Sequence, residues 1–586
     1  MAVSSPLGWP QRPALKLIAP ERARDGAMLT GLGALFLALT LAVQPWGNFP
    51  LNDDWIYARL VEVLFTRGQL QTSSYLSATA TAQIVWGAAF ALVLGFSHTT
   101  LRFATFVLGL VGVMVSYGLL RQVNAPRHLA ALGAATMAVN PLYFQLANTF
   151  MTDVPFYTAA LLSIWLYLRS LQDDSHWLMF WATVLAVIAV LIRQFALVVP
   201  LAYGAAYLLK NGLRFAKGWL ALSPTVAVGL ALVGHQWLLG LPSQQGVVNL
   251  TRLFRAPLIE QLAVPMDNSF TILIYLGLAF LPFGLALFPH LWAGWSRRGR
   301  LAAFLGGLVG LGLGVGLLLW QGRRMPLLTR PGNLLIDAGL GPATLRDVFI
   351  LGLPHLTPMP RWVWWLVTAA ALAGAGLLIF TIAHNLWSAF RAQPAVRATV
   401  PDYLPFRALL TPDQGTLFFL LAVSALYLLP FVLGAFFDRY LLLSVPLMMA
   451  AASVYLSRQR VAATWWAVGL SAAFLLLLGS FTVAATRDYF AWNTARWQAL
   501  ADLAAQGISP RQIDGGYEFN GWYNFDPARK INYADPVKSW WWVDDDEYLL
   551  AFGPVEGYAV LRRYPYPRWL PGGVGQILTL RRRGEP

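Results

Sequence analysis

Apolar runs recur along nearly the whole chain, and several approach the ~20 residues that a helix needs to cross a ~30 Å hydrocarbon layer. A soluble core of this length does not call for runs so long or so regular. Composition agrees: 57% of residues are hydrophobic and only 12% charged, against roughly 25% charged in soluble domains. The expected fold class is therefore an all-α polytopic membrane protein.

The basic clusters orient the runs. With the amino terminus on the cytoplasmic side, crossings are expected at 28–43, 101–120, 129–147, 154–168, 177–192, 195–209, 219–239, 270–292, 301–320, 362–382, 417–433, 440–456 and 462–484, about thirteen in all. This thread puts Arg121 with Arg127, Lys210 with Arg214 and Lys217, Arg297 with Arg298 and Arg300, Arg391 with Arg397 and Arg407, and Arg458 with Arg460 in the cytoplasm. The run 82–96 is short and reads as an interfacial helix. Residues 1–27, with Arg12, Lys16, Arg22 and Arg24, lack a convincing cleavage site and read as a cytoplasmic segment before a retained first span.

A net charge of +15 raises the question of nucleic acid, but the charge sits in short clusters between apolar runs and no basic module interleaves with stacking aromatics. No nucleic-acid partner is expected; membrane lipids are. The absence of cysteine excludes disulfides, thiolate metal sites and cysteine nucleophiles. The external loop 321–361 breaks the charge rule with Arg323, Arg324, Arg330, Arg346 and Arg361. These face anionic headgroups or a lipid phosphate, or reflect only the weak constraint on long loops. Gly306, Gly310 and Gly314, with Gly312 and Gly316, mark a close helix contact.

After residue 485 charge rises and the runs shorten. Three parts follow: 1–27 cytoplasmic, 28–485 membrane-embedded with a first external loop at 46–100, and 486–586 a small α/β domain outside the cytoplasm. Within the last part a helix is expected at 492–506 and short strands at 512–513, 548–552, 558–562 and 577–580.

Chemistry-bearing residues gather on the external face. Asp53 and Asp54 lie beyond the first span with Tyr57 close behind; adjacent carboxylates there either cap a helix or serve as a base facing a cavity. Asp153, in Thr152-Asp153-Val154-Pro155, sits at the outer edge of two spans, where an acid caps a helix or faces a pathway. Arg193 and Arg439, the latter before Tyr440, stand at external mouths and present planar guanidinium donors suited to phosphate. Their plain alternatives are interfacial snorkelling for Arg193 and an ion pair with Asp438 for Arg439. The histidines show no HExxH spacing, so no zinc site is expected.

The order of these features resembles the GT-C fold of lipid-linked-sugar glycosyltransferases, in particular the family of protein O-mannosyltransferases and the lipid A aminoarabinose transferase (glycosyltransferase family 39-like). The resemblance rests on the acidic pair Asp53-Asp54 with Tyr57, on Asp153-Val154-Pro155, on Arg193, and on Arg439-Tyr440 with Pro446. Residues 74–83 depart from it, with neither the lysine nor the proline that several relatives carry. The resemblance implies a sugar on a polyprenyl-phosphate donor, an extracytoplasmic glycolipid, polysaccharide or protein acceptor, and inverting displacement. Asp53 or Asp54 would be the general base, Asp153 would orient the acceptor or stabilise the oxocarbenium charge, and Arg193 and Arg439 would hold the leaving phosphate. It implies no cofactor; a divalent metal on the carboxylates is the alternative. The expected location is a bacterial inner membrane, with the site facing the periplasm. A transporter or lipid flippase is the reading from another class, weakened by the absence of an internal repeat.

Overall fold

The computed structural model describes residues 19–212, 215–240, 255–293, 296–322, 333–391, 410–456, 464–528 and 541–583. The protein is a helical membrane bundle with a small sheet at its carboxyl end. Among the described residues, eight helices are long and apolar enough to cross a membrane, or nine counting one bent pair. The other four expected crossings fall on helices His176–Val190, Val198–Asn211, Leu305–Trp320 and Ser444–Leu456, whose apolar lengths are shorter.

The bent pair replaces one expected crossing. Residues 129–147 form helices Arg127–Ala138 and Pro141–Ala147, bent by 64°. Pro141 cannot continue a helix as a donor but suits the first turn of a new one, and the Asn140 side chain caps that turn by accepting from Leu142 and Tyr143. The bend turns 148–152 back toward the loop after the first span, where Phe150 N–H meets Asp54.

The opposite correction applies further on. The expected last crossing and the separate helix at 492–506 are one helix, Trp465–Ala505, so the boundary expected at 485/486 falls inside a continuous element. Beyond it, strands Ile513–Asp514, Tyr548–Ala551, Gly573–Arg582 and Tyr558–Arg568 lie side by side in that order, the first pair parallel and the others antiparallel.

The glycine stripe packs closely at one point only: an added Cβ at Gly314 would lie 2.9 Å from the Leu372 side chain, while at Gly306, Gly310, Gly312 or Gly316 it meets open space. Two other glycines, Gly277 in helix Leu258–Ala293 and Gly374 in helix Arg361–Arg391, bring those backbones together, and a Cβ on either would strike the partner's main chain.

The loop 46–53 is held rather than loose. Arg102, buried in helix His98–Gln122, donates to the carbonyls of Pro45, Gly47 and Phe49. The chain then turns through Asn52 in the left-handed region (φ 52°), which asparagine tolerates better than most residues. Helix Asp54–Arg67 follows directly.

Candidate active site

Asp53 and Asp54 are adjacent but do different things. Asp54 is 1% exposed, and its two oxygens accept from the backbone N–H groups of Leu51 (2.5 Å) and Phe150 (3.2 Å). It therefore ties the first loop to the segment leading into Asp153. Burial pushes its carboxyl up to about 7, against the opposing pull of the Arg102 guanidinium. Asp53 makes no capping bond to its helix. Its side chain is 32% exposed and opens on a small cleft lined by Tyr57, Ser77, Met151, Arg193, Arg439 and Tyr440.

Helix Asp153–Asp173 begins at Asp153, which is buried and makes no cap. Its Oδ2 pairs with Arg193 Nη2 at 2.9 Å, and its Oδ1 lies 3.7 Å from Arg439 Nε. Arg193 also donates from Nε to the Thr152 hydroxyl at 2.8 Å and stacks over the Tyr440 ring at 5.0 Å. Arg439 reaches on to Asp53 Oδ2 at 3.4 Å and sits over the Phe437 ring at 4.5 Å. Two carboxylates and two guanidiniums, from four separate segments, thus form one alternating cluster. Its charges sum to zero, which is what makes their shared burial tolerable.

Both plain alternatives for the arginines fail. Arg193 is buried rather than snorkelling. Asp438 accepts the Arg439 backbone N–H, while its carboxylate otherwise holds the N–H groups of Leu334 and Leu335. Asp438 is thus a loop brace, and burial raises its carboxyl above the usual range.

The segment without lysine or proline nevertheless reaches the cleft. Thr79 donates to the Val190 carbonyl, and the N–H groups of Ala80 and Ala82 donate to Ile192 and Leu191. This seam delivers Ser77 and Ala78 to the cleft beside Arg193. Of the arginines in the 321–361 stretch, Arg323, Arg324 and Arg330 lie outside the described residues. Arg346 faces no lipid: it is buried and pairs with Asp546 at 2.7 Å. Arg361 is exposed at the start of its helix.

The carboxyl-terminal part supplies what sequence reading missed. The Tyr517 hydroxyl donates to Asp53 Oδ1 at 2.7 Å and also meets the Tyr75 hydroxyl at 2.8 Å. Next to it, Glu518 is fully buried against Arg496 (2.8 Å) and accepts from Asn52 N–H (2.9 Å) and the Thr344 hydroxyl (2.7 Å). The Gly-Gly-Tyr-Glu run at 515–518 is a visible anomaly in the sequence, but nothing local says which loop it meets. Gly516 has φ 86°, and a Cβ there would press on the Thr344 carbonyl, so glycine is required for this approach.

Among the described residues no group of three or more His, Cys, Asp or Glu side chains is arranged to hold a metal ion. The adjacent pair is a poor chelate on geometric grounds, because both Asp54 oxygens face N–H donors.

Residues 84–237 match the family model described as dolichyl-phosphate-mannose-protein mannosyltransferase. No curated protein sequence matches the chain. Solved structures similar to it include ArnT from Cupriavidus metallidurans bound to undecaprenyl phosphate, with TM-score 0.41, 15% identity, and coverage of 94% of this chain and 98% of that one. The Archaeoglobus fulgidus oligosaccharyltransferase tethered with an acceptor peptide gives 0.28, 13%, 73% and 55%. The arabinosyltransferase EmbB from Mycobacterium smegmatis gives 0.31, 14%, 86% and 43%. The matched segment contains Asp153 and Arg193, and over residues 84–237 this multi-span membrane protein is similar to the dolichyl-phosphate-mannose-protein mannosyltransferase family of membrane glycosyltransferases.

Proposed function

We propose that the protein transfers a sugar from a polyprenyl-phosphate donor to an extracytoplasmic acceptor, with Asp53 as general base. One observation carries this reading: Asp53, Asp153, Arg193 and Arg439, distant in sequence, meet in a single charge cluster, with Asp53, Arg193 and Arg439 lining the cleft and Asp153 buried behind the two arginines.

The residues divide the work. Asp53 is the carboxylate that both reaches the cleft and has access to an acceptor; Asp54 is committed to two backbone donors, and Asp153 is paired through both oxygens. Asp53 takes the acceptor hydroxyl proton as that oxygen bonds to the anomeric carbon. The bond from that carbon to the phosphate oxygen breaks, and its electron pair leaves on the phosphate. Arg193 and Arg439 face the growing negative charge with donors already fixed in place. Asp153 keeps both guanidiniums aimed while the donor is absent. Tyr57 and Tyr440 wall the cleft, and Tyr440 flattens Arg193 against its ring. Displacement from the face opposite the leaving phosphate inverts the anomeric centre.

No metal or cofactor takes part in this scheme, and chelators should leave turnover unchanged. The expected setting is a bacterial inner membrane with the cleft on the periplasmic side. The deciding experiment supplies a panel of radiolabelled polyprenyl-phosphate sugars to membranes containing wild type or Asp53→Asn. Incorporation lost in the variant supports the assignment. Equal incorporation in both removes Asp53 as base, and no incorporation from any donor rejects the transferase reading.

A further inference from the structure

The hairpin joining strands Tyr558–Arg568 and Gly573–Arg582 has an unusual tip. From Trp569 through Leu570, Pro571, Gly572 and Gly573 to Val574 it carries no polar side chain. Tips that face water are normally built from asparagine, aspartate and serine as well as glycine and proline. Here Trp569 is 50% exposed and Val574 76% exposed.

The tip's height relative to the bilayer follows from its partners. Helix Trp465–Ala505 carries no charged side chain from Trp465 to Thr486, ~33 Å of helix, which matches the hydrocarbon thickness. Its first charges, Arg487 and Asp488, therefore mark the membrane boundary. Asp488 holds the tip directly, accepting from Trp569 N–H at 2.7 Å and Leu570 N–H at 2.8 Å. Arg487 lies over the Trp569 ring at 6.0 Å and donates to the carbonyl of Val43, the last residue of the first spanning helix. Arg568, at the base of the tip, donates to Thr357 just before helix Arg361–Arg391. Three spanning helices thus end at the level of this turn. Two of those ends also present exposed tryptophans, Trp46 and Trp362, as the interfacial aromatic belt requires.

We infer that the 569–574 tip rests in the headgroup and upper acyl region of the bilayer, with the lipid surface as its partner, so that the external sheet is anchored to the membrane independently of its covalent tether. Trp569 suits that layer with its apolar ring and polar N–H, Val574 supplies apolar area, and Arg568 and Arg487 are placed to meet lipid phosphates.

Because the chain has no cysteine, single-cysteine labelling tests this without further engineering. Val574→Cys and Glu556→Cys would each carry an environment-sensitive fluorophore, in full-length protein reconstituted into phospholipid nanodiscs. Glu556 is exposed just before the far end of the neighbouring strand Tyr558–Arg568, a strand length of ~33 Å from the tip. The expected result is blue-shifted emission at 574, quenched by lipids spin-labelled near the headgroup, with neither effect at 556. Equal emission and equal quenching at the two sites overturn the inference. So does a probe at 574 that is shielded from a water-soluble quencher yet untouched by lipid quenchers, since protein would then cover the tip.

Discussion

The Tyr517 hydroxyl donates to Asp53 Oδ1 at 2.7 Å across 464 positions of sequence, so the carboxyl-terminal domain holds the proposed base with its own side chain. The phenol ring is packed independently of that bond, against Trp541 at 5.2 Å and Trp55 at 6.2 Å. Tyr517→Phe should therefore fold normally while Asp53 loses one of its two orienting contacts. Turnover should fall roughly tenfold or more, in line with the 1.5–3 kcal/mol of a hydrogen bond to a charged group, with little change in donor KM. Steady-state kinetics at several donor concentrations checks this; unchanged kcat would remove Tyr517 as a positioning residue.

The neighbouring aspartates should part company on mutation. Asp53→Asn should lose transfer by 10²-fold or more, yet shift stability by no more than about 1 kcal/mol, since its partly exposed ion pair contributes little. Asp54→Asn turns an amide N–H toward a backbone N–H and should cost about 1–3 kcal/mol. Thermal unfolding in detergent, alongside the transfer assay, separates the two; the reverse pattern would exchange their roles.

Asp54 also predicts how stability depends on pH. The folded protein keeps this proton up to about 7, whereas the unfolded chain releases it near the ordinary aspartate value of 3.8. The contribution is fully present below about 4 and is lost as pH rises through about 7. Tm should decline across that window in wild type, and less steeply in Asp54→Asn. Parallel curves would show that Asp54 is not the group responsible.

Lysine should not replace either arginine. Arg193 meets Asp153, Thr152 and the Tyr440 ring at once, and an ammonium cannot keep all three. Arg193→Lys and Arg439→Lys should each lower kcat/KM for the donor about 10- to 100-fold, the effect of one lost charged hydrogen bond. Wild-type kinetics in either lysine variant would refute a planar, two-pronged role.

The Arg496–Glu518 pair is fully buried, so leaving one partner alone should be severe. Arg496→Met should cost about 3–5 kcal/mol and loosen the contacts of Glu518 with Asn52 and Thr344. Hydrogen exchange at residues 46–53 and 513–524 reads this directly; unaltered protection would mean that other contacts hold the domain.

Sequence by itself determined that the chain lives in a bilayer, which charged residues stand at the ends of its spans, and that a sheet-bearing segment follows the last of them. These are local properties: helix length against hydrocarbon thickness and charge against lipid are decided within some twenty residues. Even the resemblance rests on short motifs, and Asp53, Asp153, Arg193 and Arg439 were all visible as candidates. Only the tertiary structure decided what each one contacts. Asp53 and Asp54 are the same residue type side by side, and they part because Phe150 N–H reaches one and Tyr517 the other. The contact at Gly277 and Gly374 likewise depends on a partner far along the chain, whereas the break at Asn140–Pro141 follows from proline and a local cap. The long-range pairings follow from a single requirement: buried charges and backbone donors must find partners, and in a folded membrane bundle those partners come from whichever segments the packing brings within 3 Å.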